Sequence, residues 1–470
     1  MPIVLGANSA SGGYNITNSL RFNSGSSDYL SRTPSTGSTT KSTFSAWVKR
    51  SGFSGGKNIF GFTSDGSNFT FLRFEDGEDW LQYYVYPNTG VYNKKTSARY
   101  RDTSAWYHII LAIDLSNSTN EDKVKIYVNG DRITSWSTNT SSNPTSGDWV
   151  SGTSSWKPYI GSGGSLGNYF DGYISDVYFI DGQQLTPSSF GETDTDTGIW
   201  IPKAYSGTYG TNGFYLQFKN SASLGTDSSG NGNNFTVNNL TSVDQTTDTP
   251  TNNFATMNPL RQPTGNPATL TNGNTTVTTQ STGYYGGRST IGVSSGKWYF
   301  EAKLVSYSSQ SGMIGIQDAE SYTPEMFNSS SGAFAGYSST GWSYSTDGNK
   351  TNNNSGSAYG NTYASGDIIS VALDCDNAKL YFAKNGTWQN SGVPTSGSTG
   401  TGAISITSGL TYLFAVDDAG NTNNCVWDCN FGNPQYTGGS YTDGAGRGNF
   451  SYAVPSGYFA LCTANLSLYG

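Results

Sequence analysis

Apolar and polar residues alternate with a period of two through most of the chain, in short runs broken by Gly, Asn, Ser, Asp and Pro. Ser19-Leu-Arg-Phe22, Thr43-Phe-Ser-Ala-Trp-Val-Lys49 and Lys297-Trp-Tyr-Phe-Glu-Ala-Lys303 each alternate along an extended backbone, so each predicts a strand. In Trp106-Tyr-His-Ile-Ile-Leu-Ala-Ile-Asp114 the alternation is overlaid on a continuous apolar run, which predicts a strand packed on both faces. Val124-Lys-Ile-Tyr-Val128 runs into Asn129-Gly130, a pair that supplies the two positive-φ positions of a tight hairpin. The same grammar returns at Ile368-Ile-Ser-Val-Ala-Leu-Asp374, Lys379-Leu-Tyr-Phe-Ala383 and Asn385-Gly386. No stretch keeps the helical spacing i, i+3, i+4, i+7 without a Gly or Pro interruption.

The pattern predicts an all-β chain of two tandem antiparallel β-sandwiches. The expected divisions are an N-terminal arm over 1–14, a sandwich over 15–190, a β-rich connector over 191–282, a second sandwich over 283–432 and a C-terminal arm over 433–470. A length of 470 residues exceeds one typical domain and suits two large ones. Composition changes this little: Gly 60 and a surplus of Ser, Thr and Asn would fit disorder, but aromatic residues at 14%, recurring in clusters, fit short strands joined by tight turns. The Pro-containing stretch Thr249 to Pro267 is the expected hinge. A charge of −8 leaves no basic stripe for phosphates, so nucleic acid is not an expected partner. Ile3-Val4-Leu5 lacks the basic flank and apolar core of a secretory signal, and no apolar run is long enough for a spanning helix, so membrane insertion is not expected.

Two resemblances rest on specific residues. Phe44-Ser-Ala-Trp47, Trp106-Tyr-His108, Lys125-Ile-Tyr-Val-Asn-Gly130 and Phe170-Asp-Gly-Tyr-Ile-Ser-Asp-Val177 make residues 15–190 resemble laminin G-like and concanavalin A-like jelly rolls. Gly296-Lys-Trp-Tyr-Phe-Glu301, Gly312-Met-Ile-Gly-Ile316, Tyr344-Ser-Thr-Asp-Gly348, Lys384-Asn-Gly386 and Cys429-Asn-Phe-Gly432 make 283–432 resemble a SPRY domain. The joining segment is similar to structural proteins of tailed bacteriophages, especially marine ones, through Gly198-Ile-Trp-Ile-Pro-Lys203, Tyr209-Gly-Thr-Asn-Gly213, Asp227-Ser-Ser-Gly-Asn-Gly232 and Asp248-Thr-Pro-Thr-Asn-Asn-Phe254. Pro455 to Leu466 matches the same group. These resemblances imply a non-enzymatic virion surface protein of tail-fibre or receptor-binding type, assembled in the host cytoplasm. Its implied partners are other virion proteins and host cell-surface glycans or proteins, and it would be a homo-oligomer, a trimer by analogy with phage fibres. An architectural decoration protein of the head or fibre is the alternative, and a glycan hydrolase the second.

The candidate chemistry is sparse. Glu75-Asp76-Gly77-Glu78-Asp79 is the nearest approach to the paired carboxylates a glycosidase needs, but its Gly marks a hairpin tip. Clustered carboxylates suit a hard cation, so Glu75, Asp76, Glu78 and Asp79 are the candidate ligands for Ca²⁺, against the plainer reading of a solvated turn. No other cofactor is expected. Gly-x-Ser-x-Gly occurs at Gly163 to Gly167 and Gly52 to Gly56. The one histidine, His108, sits inside an apolar strand, so no catalytic residues are expected. Cys425, Trp427, Cys429 and Phe431 share one strand face and read as core rather than as zinc ligands. Binding would use aromatic rings on loops at sandwich ends, which gives Trp136, Trp149, Trp156, Trp342, Tyr344, Asp347 and Trp388 as candidate ligand contacts.

Overall fold

The computed structural model describes residues 13–87, 91–164, 167–262, 267–280, 286–308, 312–321, 334–418 and 424–470. The expected N-terminal arm lies outside the described residues except for its last two positions, and so do Ser165 of the Gly163–Gly167 motif and the opening residues 283–285 of the expected second sandwich. Strands make up 42% of the structure and helix 7%, in several antiparallel sheets. Two compact units divide between Thr251 and Asn252.

In the first unit the strands are β1 (Ser19–Phe22), β2 (Tyr29–Ser31), β3 (Lys41–Arg50), β4 (Lys57–Asp65), β5 (Asn68–Phe74), β6 (Trp80–Pro87), β7 (Tyr92–Arg99), β8 (Tyr107–Asp114), β9 (Val124–Val128), β10 (Asp131–Arg132), β11 (Trp136–Ser141), β12 (Lys157–Ile160), β13 (Gly172–Asp181), β14 (Gly191–Thr193), β15 (Trp200–Pro202), β16 (Phe214–Leu216), β17 (Thr236–Asn238) and β18 (Gln245–Thr246). One sheet runs β10-β9-β8-β3-β13-β1-β18 with β16 beside β13, and the other runs β11-β7-β6-β5-β4-β12-β2-β17. Alternation decides what meets between them: Phe44, Ala46 and Val48 of β3 and Ile109, Leu111 and Ile113 of β8 face Phe60, Leu72, Phe74 and Val85 of the opposite sheet. Phe44 and Phe60 stack across the gap with centroids 4.2 Å apart. Truncating either ring to Ala removes about 3–5 kcal/mol of such packing.

The segment expected as a connector is not a separate body at this end. Its β16, β17 and β18 add to both sheets of the first unit. Residues from Leu185 to Tyr215 also clad the outer face of the first sheet, where Ile110, Ala112, Tyr127, Tyr178 and Ile180 pack against Phe190 and Tyr215. This cladding is why β8 is apolar on both faces.

The second unit pairs a nine-stranded with a six-stranded sheet. Lys297–Tyr307 lies at the centre of the larger, between Ile368–Asp374 and Cys425–Asn430. Gly312–Asp318 and Tyr412–Asp418 form the middle of the smaller. Trp298, Phe300, Ile316, Val371, Phe414 and Trp427 fill the space between, and Cys425 and Cys429 are fully buried among them. The C-terminal segment clads the outer face of the larger sheet: Phe450, Tyr458 and Ala460 pack on Tyr299, Ala372 and Tyr381. Glu301, fully buried, accepts hydrogen bonds from the Tyr299 hydroxyl at 2.8 Å and the amides of Ser451 at 2.8 Å and Tyr452 at 3.0 Å. The chain closes with a short helix, Thr463–Tyr469, that no period of apolar residues announced.

The internal echo in the sequence is an echo in hydrogen bonding. Asn129 and Asn385 both take left-handed backbone angles, with φ 51° and 46°. The Asn129 side-chain oxygen accepts from the His108 amide at 2.8 Å, and that of Asn385 from the Ile368 amide at 2.9 Å. In each case the Asn amide returns a bond to the carbonyl of the same residue at 2.9 Å.

Candidate functional site

On the clad face of the first sheet a cleft of about 350 Å³ opens between two hairpins. Trp47 is on β3, where its neighbours Ala46 and Val48 point into the core, so the indole points out. Trp106 immediately precedes β8. Both are 2% exposed and form the floor. The walls are Asn129 and Asp131 from the β9–β10 hairpin and Thr193, Gly198, Ile199 and Trp200 from the β14–β15 hairpin. Two glycines make room for Trp200: a Cβ on Gly130 would come within 2.6 Å of its ring, and one on Gly191 within 2.4 Å. Gly130 also has φ +88°, so the tight turn and the ring slot both require glycine there.

Behind the wall stands His108. Its ring stacks on Trp47 with centroids 4.7 Å apart and lies 6.0 Å from the Trp200 ring. Trp200 Nε1 donates to His108 Nδ1 at 2.9 Å, and His108 Nε2 is 2.8 Å from Ser45 Oγ. An indole nitrogen only donates, so Nδ1 is the acceptor, the proton resides on Nε2, and Nε2–H donates to the serine. A serine beside a histidine has the spacing of a nucleophile and base, but this imidazole already carries its proton on the serine side. Where a triad has a carboxylate it has an indole donor. Burial drives the His108 pKa down to about 3. The pair is therefore a structural strut under the cleft.

Charge near the floor is compensated. Asp248, fully buried, takes Lys49 Nζ at 2.9 Å and Trp106 Nε1 at 3.2 Å. The Trp47 indole N–H, by contrast, is buried without an acceptor among the described residues. Further along the same face Asp176 takes φ 51° at a bulge in β13 and accepts from the hydroxyls of Tyr14 at 2.8 Å and Tyr215 at 2.7 Å. Burial raises its pKa to about 6.

The ring candidates of the sequence are placed elsewhere. Trp149, 4% exposed, meets Tyr92 edge-on inside the core, and Trp136 and Trp156 lean half-buried against the same core. Lys94 Nζ lies 4.8 Å from the Trp136 ring. In the second unit Tyr344 is fully buried and packs on Phe382, with Trp342 on the same inward face. Trp388 rests against Tyr381 in the outer cluster, so it does not join them. Asp347 is exposed and ties its own turn, accepting from Ser345 Oγ at 2.8 Å and the Asn349 amide at 3.0 Å. The reading of Trp149 and Tyr344 as ligand contacts is thus corrected: large rings gain most by turning inward, even from loop-like sequence.

The four acidic candidates are also redirected. Glu75 pairs with Lys95 at 2.5 Å, Glu78 with Arg99 at 2.6 Å, and Asp79 with Arg50 at 3.0 Å and Arg101 at 2.7 Å. Asp76 accepts the Gly55 amide at 2.7 Å. Each carboxylate faces its own donor, so they do not converge as a cation site, and no group of three or more metal-ligating side chains is found among the described residues. Trp47, Trp106, Asp131 and Trp200 were not singled out by the sequence. The signal existed in Trp106-Tyr-His108 and Gly198-Ile-Trp200, but only the fold brings them together.

The model of the concanavalin A-like lectin/glucanases superfamily matches residues 24–189 and that of the SPRY domain matches 297–411. The chain therefore carries the two domains in tandem. Among solved structures, the SPRY domain of human HERC1 is 17% identical over 37% of this chain and 96% of its own, with a TM-score of 0.29. A Bacteroides ovatus ATCC 8483 protein called "a putative carbohydrate binding protein" is 19% identical over 48% of this chain and 59% of its own, with a TM-score of 0.34. Stonustoxin is 16% identical over 37% of this chain and 27% of its own, with a TM-score of 0.28. No curated protein matches.

Proposed function

We propose that this protein is a non-catalytic binding protein and that its first unit takes a carbohydrate in the tryptophan cleft. The observation that carries this reading is the make-up of the cleft: an indole floor and wall, for the apolar face of a sugar ring, rimmed by Asn129, Asp131 and Thr193, for its hydroxyls. The buried Trp47 N–H adds a donor still without an acceptor among the described residues. Two domain families that serve mainly as binding scaffolds support the same class of function. The protonated side of His108 facing Ser45, and the ion-paired state of Glu75 and Glu78, speak against hydrolysis. For the setting we favour the surface of a tailed-phage particle, on the residues of the joining segment. There, many copies would raise avidity by ~10²–10⁴-fold.

A glycan array probed with the full chain tests the binding. Saturable binding to a subset of glycans is expected, weakened roughly 30-fold or more by Trp200→Ala, as for a central aromatic contact. Asp131→Ala should weaken it while leaving the fold intact. Silence across the array, or binding indifferent to both changes, sinks the reading and favours a purely architectural role.

A further inference from the structure

The second sheet of the first unit begins with β11, and no strand pairs with the outer side of β11 among the described residues. An open edge of this kind is a template for another chain, and proteins blunt such edges by keeping them short or by placing Lys, Pro or other charged residues on them. The rest of the molecule follows that rule: the other strands that end its four large sheets hold two to four residues each. β11 holds six, Trp136-Ser-Thr-Asn-Thr-Ser141, without a charge or a proline, and Ser137, Asn139 and Thr140 are exposed. The Ser142 amide donates to the Val91 carbonyl at 2.9 Å, on the side of β7. Backbone direction alternates along an antiparallel ladder, so the groups of Thr138 and Thr140 also face β7, while those of Asn139 and Ser141 face outward. A bulge between Trp136 and Thr138 ends the regular stretch at Ser137.

Within that stretch the sequence is a palindrome: Ser137-Thr138-Asn139-Thr140-Ser141 reads the same in both directions. A twofold contact joins the same patch of two copies, so that residue i of one meets j of the other and j meets i. Two copies of β11 laid antiparallel about Asn139 set Asn139 on Asn139, Thr138 on Thr140 and Ser137 on Ser141. Every position then faces a residue of its own type, and Thr–Thr pairs are among the favourable cross-strand neighbours. Charge at the axis is balanced as well. Lys94 Nζ lies 3.3 Å from Glu121 Oε2 and donates to Asn139 Oδ1 at 2.8 Å, while Asn139 Nδ2 donates to Glu121 Oε1 at 3.2 Å. Each copy thus brings to the axis a cation and an anion already paired, and an asparagine already oriented. A foreign strand would have no need of a sequence that reads alike from both ends.

We propose that β11 pairs with β11 of a second copy of this chain, antiparallel about Asn139, so that two eight-stranded sheets run on as one. This edge makes a dimer and not the trimer expected by analogy, because a strand edge that meets its own copy is used up by one partner. A single short strand buries less than the roughly 1,200 Å² of a standard interface, so the dimer is weak, with a dissociation constant on the order of 10–100 µM.

Sedimentation velocity of the full chain from about 2 to 400 µM tests this, and a reversible shift from monomer to dimer is expected across that range. Thr138 and Thr140 stand opposite Lys95 and Asn93 of β7, on one face of the sheet. Thr138→Lys/Thr140→Lys sets like charges against each other across the twofold axis, and Thr138→Glu/Thr140→Glu does the same with the other sign. Each variant should weaken the dimer roughly 10-fold or more, and an equimolar mixture of the two should restore it, since every Lys then meets a Glu. Ser141→Pro, which removes an outward-facing amide and no bond to β7, should weaken the dimer without charge. Melting midpoints close to that of the native chain report that the variants fold. A native chain that stays monomeric throughout overturns the proposal, and so does a trimer, a dimer that survives the three variants unchanged, or a mixture of the charged variants that stays monomeric.

Discussion

A single imidazole, His108, stands behind the cleft wall with both ring nitrogens occupied. The unfolded chain takes up a proton near the ordinary histidine value of about 6.5, whereas the folded chain does so only near 3. The contribution of His108 to stability is therefore complete above that ordinary value and is lost as pH falls toward 3. NMR of the one histidine ring should show no titration between about pH 8 and pH 4.5. Trp200→Phe, which removes the indole donor and loosens the wall, should bring titration into that range. Asp176 runs the other way: its pKa rises from 3.8 to about 6 on folding, so the stability it lends is fullest below the lower value and drains as pH rises through the upper. Asp176→Asn removes that dependence. The melting difference between variant and native chain should move in favour of the variant, by on the order of 2–3 kcal/mol, between pH 4 and pH 7.

At the scale of elements, the cleft is the work of two hairpins held together by one ring. Trp200 is seated between Gly130 of the β9–β10 turn and Gly191 of β14, and its nitrogen anchors on β8. Gly130→Ala should cost about 1–3 kcal/mol, from the lost positive-φ freedom and the clash together, and should weaken array binding as well, measured by thermal denaturation and by titration. The strands that define the sandwiches were legible from alternation, and so was the burial of Cys425 and Cys429, since a period of two names its own inward face. The cleft was not. Its residues come from β3, the residue before β8, and the β9–β10 and β14–β15 hairpins, which no local pattern relates. Loop tryptophans such as Trp149 looked available because sequence shows context but not the direction in which a ring turns. The acidic turn looked like a cation site because Lys95, Arg99, Arg50 and Arg101 lie too far along the chain for their pairing to be read.

For the whole molecule, the decisive feature is that each unit needs its cladding. Residues 191–251 complete both sheets of the first unit and cover one outer face, so a fragment ending at 190 should melt well below one ending at 251, or fail to stay soluble. Expression of 13–190 and 13–251 side by side, followed by calorimetry, checks this. The twin Asn-Gly turns have a bearing on how the chain ages. Deamidation at such sequences begins when the glycine nitrogen attacks the asparagine side-chain carbonyl, and at Asn129 and Asn385 that carbonyl is held by a neighbouring strand amide. The folded protein is thereby shielded at these two of its Asn-Gly links, while any molecule that opens starts to convert to isoaspartate there. The resulting small mass gains, read separately at the two turns, make each half of the chain keep a chemical record of the time it has spent unfolded.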